Sequence, residues 1–276
     1  MHRASEIEAR TKTCAVERAV MVGHVDDLQA LDQACQRVYL GHEFCQRLLP
    51  SKADLVRAAR QVSAQGRAIT FVTPLVTDAG LRLAQDLVGA LLALPGLKDP
   101  EIVVNDWGVL HWLHREHPSV PLALGRLLTK QKRGPQILRV MDKLPPPAIE
   151  HFRQSNVDAA HVCEHLRRLG VRRVELDNLL QGIRRDGGLP ASLYYPYGYV
   201  TTTRLCLLMG GDRPGKNLRS IGLCSRECLR YDVTLRHADM PVPLLLKGNT
   251  QFFRNDRLPD KLSSLNIDRL VFIPAL

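Results

Sequence analysis

Residues 52–72, KADLVRAARQVSAQGRAITFV, and residues 77–105, TDAGLRLAQDLVGALLALPGLKDPEIVVN, carry the reading that decides the fold. Lys52–Gln65 reads as a helix that ends at Gly66 and feeds the strand Ala68–Val72. Thr77 reads as the N-cap of a second helix reaching Leu94, where Pro95-Gly96 stops it. The strand Ile102–Asn105 follows. Outward from this core the rhythm repeats. A helix over Trp107–His117 leads to the strand Leu122–Gly125. Upstream lie the strand Val38–Gly41 and, before it, Ala19–Gly23. Asp26 and Asp27 open a helix with Leu28, Leu31 and Cys35 on one face. Downstream comes a less regular stretch in which Pro145–Pro147 reads as a loop. Helix Val157–Leu169 then ends at Gly170 and leads to the strand Arg173–Asp177.

The rhythm breaks over Gly187–Met240, returns with Val242–Lys247 and closes with Leu270–Ile273. Eight short apolar strands alternating with helices predict parallel strands covered by helices. The expected fold class is α/β, a single (β/α)8-type barrel with an irregular cysteine-bearing insertion between strands six and seven. A doubly wound open sheet is the alternative. Residues 1–17 read as an N-terminal tail and 18–276 as the barrel domain.

Apolar residues make up 45% of the chain, enough for a sizeable core. The longest apolar stretch, near Leu87–Leu97, is far short of the roughly 20 residues a membrane span needs. The start, MHRASEIEARTKTC, is charged and lacks an apolar signal-peptide core, so the expected compartment is the cytoplasm. There, seven cysteines point to metal ligands or buried thiols rather than to disulfides. The net charge of +10 is spread over Lys130–Arg133, Arg167–Arg173, Arg184–Arg185 and Arg213–Arg219. It suits an anionic partner, RNA or a carboxylated small molecule, as well as an ordinary solvated surface.

Cys35 and Cys163 sit at helical core spacing and read as small buried residues. Cys14 lies in the tail. Cys224 and Cys228 form a Cys-x3-Cys pair, whose thiols can project from one side of a helical turn. Cys206 precedes a Gly-Gly turn in TTTRLCLLMGG. Cys45 follows the strand Val38–Gly41 in YLGHEFCQRLLP. Loops after barrel strands gather at the C-terminal mouth, so these four cysteines are expected to meet there. Four thiolates suit zinc or an iron–sulfur cluster. Structural zinc more often uses Cys-x2-Cys, which tilts the spacing toward a cluster.

YLGHEFCQR, the Tyr/Pro/Gly-rich run ending in TTTRLC, LCSREC, EIVVNDWGVLHWL and LLLKGNTQFFRN together resemble peptidase family U32. The likeness is greatest to its short iron–sulfur members of the UbiU/UbiV type and runs from about Arg18 to the C-terminus. It implies a 4Fe–4S cluster on Cys45, Cys206, Cys224 and Cys228. It also implies oxygen-independent hydroxylation in ubiquinone or related quinone biosynthesis, a small aromatic or isoprenoid substrate, and pairing with a second family member. RNA modification by hydroxylation is the alternative reading. A protease role has no support in the residues, since neither His-Glu-x-x-His nor Gly-x-Ser-x-Gly occurs. His111, His114 and His117 read as an exposed helix edge, with Trp107, Leu110 and Leu113 as its apolar face.

Polar residues at strand ends are further candidates for substrate contact. Asn105 and Asp106 end the fourth strand. Lys247, Gly248 and Asn249 end the run taken as the seventh. Capping and turn formation are their alternative roles. Glu175 alternates with Val174 and Leu176 and is expected to point into the barrel as an acid or base, or to pair with a basic neighbour there. Tyr194, Tyr195, Tyr197 and Tyr199 could line an aromatic pocket or form an ordinary aromatic strand.

Overall fold

The computed structural model describes residues 16–211 and 223–276. The chain begins with strands β1 (Glu17–Val22), β2 (Arg37–Gly41), β3 (Ala68–Thr73), β4 (Lys98–Val104), β5 (Leu122–Leu124), β6 (Val171–Asp177) and β7 (Ala191–Tyr195). It continues with β8 (Tyr197–Thr202), β9 (Val233–Leu235), β10 (Leu244–Lys247), β11 (Thr250–Arg254) and β12 (Ile267–Phe272). Strands β1 to β7 and β12 close into a parallel barrel, in the order β1-β12-β7-β6-β5-β4-β3-β2. Ala19 closes the ring, pairing with Arg37 of β2 on one side and Val271 of β12 on the other. The expected eight-stranded α/β barrel is therefore the fold. Cys14 and the basic run Arg213–Arg219 lie outside the described residues.

Helices α1 (Lys52–Ala64), α2 (Asp78–Leu92), α3 (Trp107–Glu116), α4 (Pro146–Arg153) and α5 (Ala160–Arg168) lie between the strands. Helices α1, α2, α3 and α5 each turn one buried face to the core, whereas no residue of α4 is buried. Leu55, Ala58, Ala59 and Val62 of α1 are buried, as are Ala84, Leu87, Val88 and Leu91 of α2. They meet the outward residues of the strands, among them Val38, Ile69, Phe71, Ile102 and Val104, in one continuous core. Thr77 caps α2 as expected, its side chain accepting from Gly80 N–H.

Several expectations need correction. The seventh barrel strand is Ala191–Tyr195, not Val242–Lys247. The cysteine-bearing insertion therefore lies between strands seven and eight of the barrel, not between six and seven. Both segments are short apolar runs, but only β7 is buried along nearly its whole length between two parallel neighbours, β6 and β12. β10 alternates buried and half-buried residues in a four-stranded antiparallel sheet ordered β8-β11-β10-β9. The chain leaves the barrel at Pro196, which has no N–H to give to a ladder.

The helix expected from Asp26 to Cys35 is only a 3-10 turn over Val25–Ala30. Asp32 then accepts Ala34 N–H on its side chain and Cys35 N–H on its carbonyl, an alternative to helical bonding. Pro145–Pro147 is not merely a loop, because Pro146 and Pro147 open α4, where missing amide donors cost nothing. On α3, Leu110 and Leu113 are buried with Val109, but Trp107 is 51% exposed, so the apolar face is narrower than expected. Cys35 and Cys163 are buried, and each thiol donates to a carbonyl, of Arg37 and Val157 respectively.

Inside the barrel the alternation of β-residues brings in a second, smaller core of Ala19, Tyr39, Val72, Val103, Ala123, Tyr194 and Val271. Charged groups accompany it at both ends. At the N-terminal end Arg269 donates to Glu101 (2.6 Å) and to the Tyr39 hydroxyl (2.7 Å), while Arg37 pairs with Glu17 (2.8 Å).

Candidate functional site

Cys45 sits in the short loop after β2. Its geometry is set by His42, whose Nδ1 accepts from the backbone N–H groups of Phe44 and Cys45, both at 3.0 Å. Burial pushes the His42 imidazole down to about 4, so at neutral pH it is uncharged and free to act as an acceptor. His42→Ala would leave two amides without this partner. A loss of about 2 kcal/mol in urea unfolding is expected. His42→Asn, which keeps a side-chain acceptor, should lose less. Equal stability of the alanine variant and the wild type would remove this loop anchor from the account.

Cys206 follows β8 on the inserted arm. Asn249, at the β10–β11 turn, ties this arm to the Cys45 loop. Its Nδ2 donates to Phe44 O (2.8 Å) and to Thr203 O (2.7 Å), and its own carbonyl accepts Thr203 N–H (3.1 Å). Arg204 adds a second tie, donating to Val76 O in the β3–α2 loop (2.8 Å). Asn249, read from sequence as a candidate substrate contact, thus has its amide committed to joining two cysteine-bearing segments.

Cys224 and Cys228 do not share a helical turn. Only Glu227–Leu229 forms a 3-10 turn, and Arg226 just before it is left-handed (φ 58°). The Arg226 N–H faces the Cys224 sulfur at 3.4 Å. Buried Glu227 joins this segment to the one after Cys206, accepting Gly210 N–H (2.7 Å) and Ser225 N–H (3.1 Å). Gly248 packs against Cys228, and a Cβ there would stand 3.3 Å from that of the cysteine.

Two of the thiols are displaced from their ordinary range. Burial pushes the Cys228 thiol up to about 11, with Cys206, Cys45 and Cys224 adding to the rise and Lys247 opposing it. Burial also raises Cys206; backbone N–H groups of Leu208 and Met209 offset part of this, and Cys224 and Cys45 add to it. Among the described residues, no three His, Cys, Asp or Glu side chains are already gathered as a shell for one metal ion. The His111, His114 and His117 row is no exception, and His117 packs edge-on to Trp112.

Beneath the mouth lies an ion network that the sequence reading did not single out. Arg126, 1% exposed, pairs with Glu43 through two nitrogens and with Asp177 at 2.6 Å. Asp177 is shared with Arg133, whose Nη2 also donates to the Arg126 and Thr129 carbonyls. The Arg126 guanidinium stacks 4.0 Å from the centre of the Tyr194 ring. Burial alone would lower Arg126, but Glu43 and Asp177 outweigh it and hold it fully protonated. Position was the available signal: Arg126 follows strand five, Asp177 ends strand six and Glu43 follows strand two.

The remaining candidates separate. Asn105 is fully buried, donating to Thr73 O (3.0 Å) and accepting Leu127 N–H (3.0 Å), so it binds neighbouring strand ends together. A Cβ at Gly125 would fall on its amide, which accounts for the glycine. Asp106 caps α3. Glu175 does point into the barrel. One oxygen accepts from Tyr39 (3.3 Å) and Ser192 (3.1 Å), while Oε2 and the Tyr194 hydroxyl have no hydrogen-bond partner. Burial pushes Glu175 up to about 7, with Arg269 opposing. Tyr195 packs with Phe272 and the outer core, away from the cysteines. Tyr197 lies over the mouth, its carbonyl accepting from Arg126 (3.2 Å) and its ring beneath Arg254.

No protein-family model matches the chain, and no curated protein does. Four chains of solved structures match. One is the U32 peptidase Mk0906, at 10% identity and TM-score 0.49, over 96% of this chain and 95% of that one. Another is YKL-39 with chitooligosaccharides, at 10% identity and TM-score 0.35, over 93% and 91%. Among the described residues no helix is long and apolar enough to cross a membrane.

Proposed function

We propose that this protein is a 4Fe–4S protein whose ligands are Cys45, Cys206, Cys224 and Cys228. On this reading it takes part in oxygen-independent hydroxylation of a small aromatic or isoprenoid precursor, in ubiquinone or related quinone biosynthesis, together with a second U32-type protein. The observation that carries the reading is the tying together of the three cysteine-bearing segments, by Asn249 between the Cys45 loop and the Cys206 arm and by Glu227 between that arm and the Cys224–Cys228 segment. The donor chemistry suits the cluster, since all four proposed ligands are soft thiols. A single zinc ion would require its four sulfurs about 3.8 Å apart, from Zn–S bonds of about 2.3 Å. A cluster spreads its irons and takes ligands from further apart, which suits cysteines on three segments that, among the described residues, form no tight shell for one ion. When bound, the cluster would supply one-electron chemistry at the mouth. The chain's own part is to fix the ligand loops: His42 sets Cys45, Asn249 and Arg204 anchor the Cys206 arm, and Glu227 joins that arm to Cys224 and Cys228.

Purification without oxygen, followed by iron, sulfide and zinc analysis, tests the assignment. Iron and sulfide in equal amounts are expected, with most of the iron lost in Cys45→Ala and Cys224→Ala. A colourless protein with stoichiometric zinc would overturn the cluster, and unchanged iron in both variants would overturn the ligand set. For the reaction, deleting the gene should lower quinone made without O2 and spare quinone made with it. RNA modification is the second reading, favoured by the net charge of +10. It would be supported instead by co-purifying RNA that is shed steeply with added salt.

A further inference from the structure

A cavity of about 880 Å³ opens beside the barrel mouth, between the segment after β5 and the β9–β10 loop of the inserted arm. Its volume falls in the range of small-molecule sites. Lys132, Arg139 and Lys143 border it, with Ile137 and Phe152 as apolar lining and Asp239 facing from the arm. Buried Arg133 belongs to the same wall, but its charge is already used by Asp177. Among the described residues, the ammonium groups of Lys132 and Lys143 meet no carboxylate and no hydrogen-bond acceptor. Among the described residues, Arg139 pairs with Asp239, through Oδ1 at 2.7 Å and a hundred residues away in sequence. Both members of that pair are at least half exposed, so their contact is weak and readily exchanged.

We propose that this cavity binds a phosphorylated small molecule with an apolar or aromatic body. Two unneutralised lysines and an exchangeable arginine match the double charge of a phosphate monoester, where a lone carboxylate would leave cations unmatched. Phe152 and Ile137 give the body a surface to cover. Asp239 holds the place of the phosphate on Arg139 until ligand displaces it. The site does not include the cysteines, so its test is independent of the cluster assignment.

Calorimetry on the full chain, with phenyl phosphate as probe, tests the proposal, with inorganic phosphate, benzoate and a short single-stranded RNA as comparisons. Phenyl phosphate should bind more tightly than inorganic phosphate or benzoate. The variants should move in opposite directions. Asp239→Asn removes the competing carboxylate and should tighten binding about two- to fivefold, the range of an exposed ion pair. Lys132→Ala combined with Lys143→Ala should weaken it about tenfold or more. Circular dichroism on both variants separates these effects from misfolding. Failure of phenyl phosphate to saturate, equal affinity for inorganic phosphate, or weaker binding by folded Asp239→Asn would overturn the proposal. RNA binding that outcompetes phenyl phosphate and falls steeply with salt would overturn it in favour of a nucleic-acid surface.

Discussion

Arg126→Met is expected to cost about 3–5 kcal/mol of folding stability, the range found when one partner of a buried ion pair is removed. Four charges balance in the network, Arg126 and Arg133 against Glu43 and Asp177, all of them buried. Methionine keeps much of the volume of the side chain but leaves one negative charge without compensation. It also removes the cation stacked on Tyr194. At roughly 2–4 °C per kcal/mol for chains of 150–250 residues, the midpoint of thermal unfolding should fall on the order of 10 °C. Adding Glu43→Gln to Arg126→Met should recover part of the loss, because it neutralises the stranded carboxylate. A double-mutant cycle would then give a coupling well above 1 kcal/mol. A loss below 1 kcal/mol for the single variant would mean that the mouth does not depend on this network. Because the Arg126 guanidinium also donates to the Tyr197 carbonyl, the same change should loosen the start of the inserted arm.

Glu175→Gln is expected to act in the opposite direction at alkaline pH. The carboxyl is raised from 4.5 to about 7 in the folded protein, chiefly by burial. The folded state therefore holds a proton that the unfolded chain has released between these values. The contribution is complete below about pH 4.5 and is lost as pH rises through 7. A carboxyl displaced this far corresponds to roughly 3 kcal/mol. Glutamine keeps an acceptor for Tyr39 and Ser192 and cannot ionise. Its stability should match the wild type near pH 5 and exceed it at pH 8.5, with a flatter profile between. Urea unfolding at the two pH values measures this. A variant less stable than the wild type at pH 8.5 would show that Arg269 and the hydroxyls need the ionised group.

The helical bounds of α1 and α2 were legible to within a few residues because Gly66, Thr77 and Pro95-Gly96 act locally. Glu175 was legible as inward-facing because strand alternation is also local. The substrate-contact reading of Asn249 was not tested by any local rule. Its bonds to Phe44 and Thr203 span 205 and 46 residues, and only closure of the barrel brings them within reach. The same holds for Arg126, which is linked to Glu43 across 83 residues.

By itself, the sequence determined that strands and helices alternate, and it picked out Cys35 and Cys163 as buried core residues. Periodicity and caps are properties of neighbouring residues, so a window of a dozen residues holds them. The tertiary structure alone decided which apolar run is the seventh strand. ASLYY and LLLK look alike until their neighbours are known, and burial on one face or both is set by what packs there. It also decided that charges fill the ends of the barrel interior, because a buried ion survives only beside a partner that the chain brings from far away.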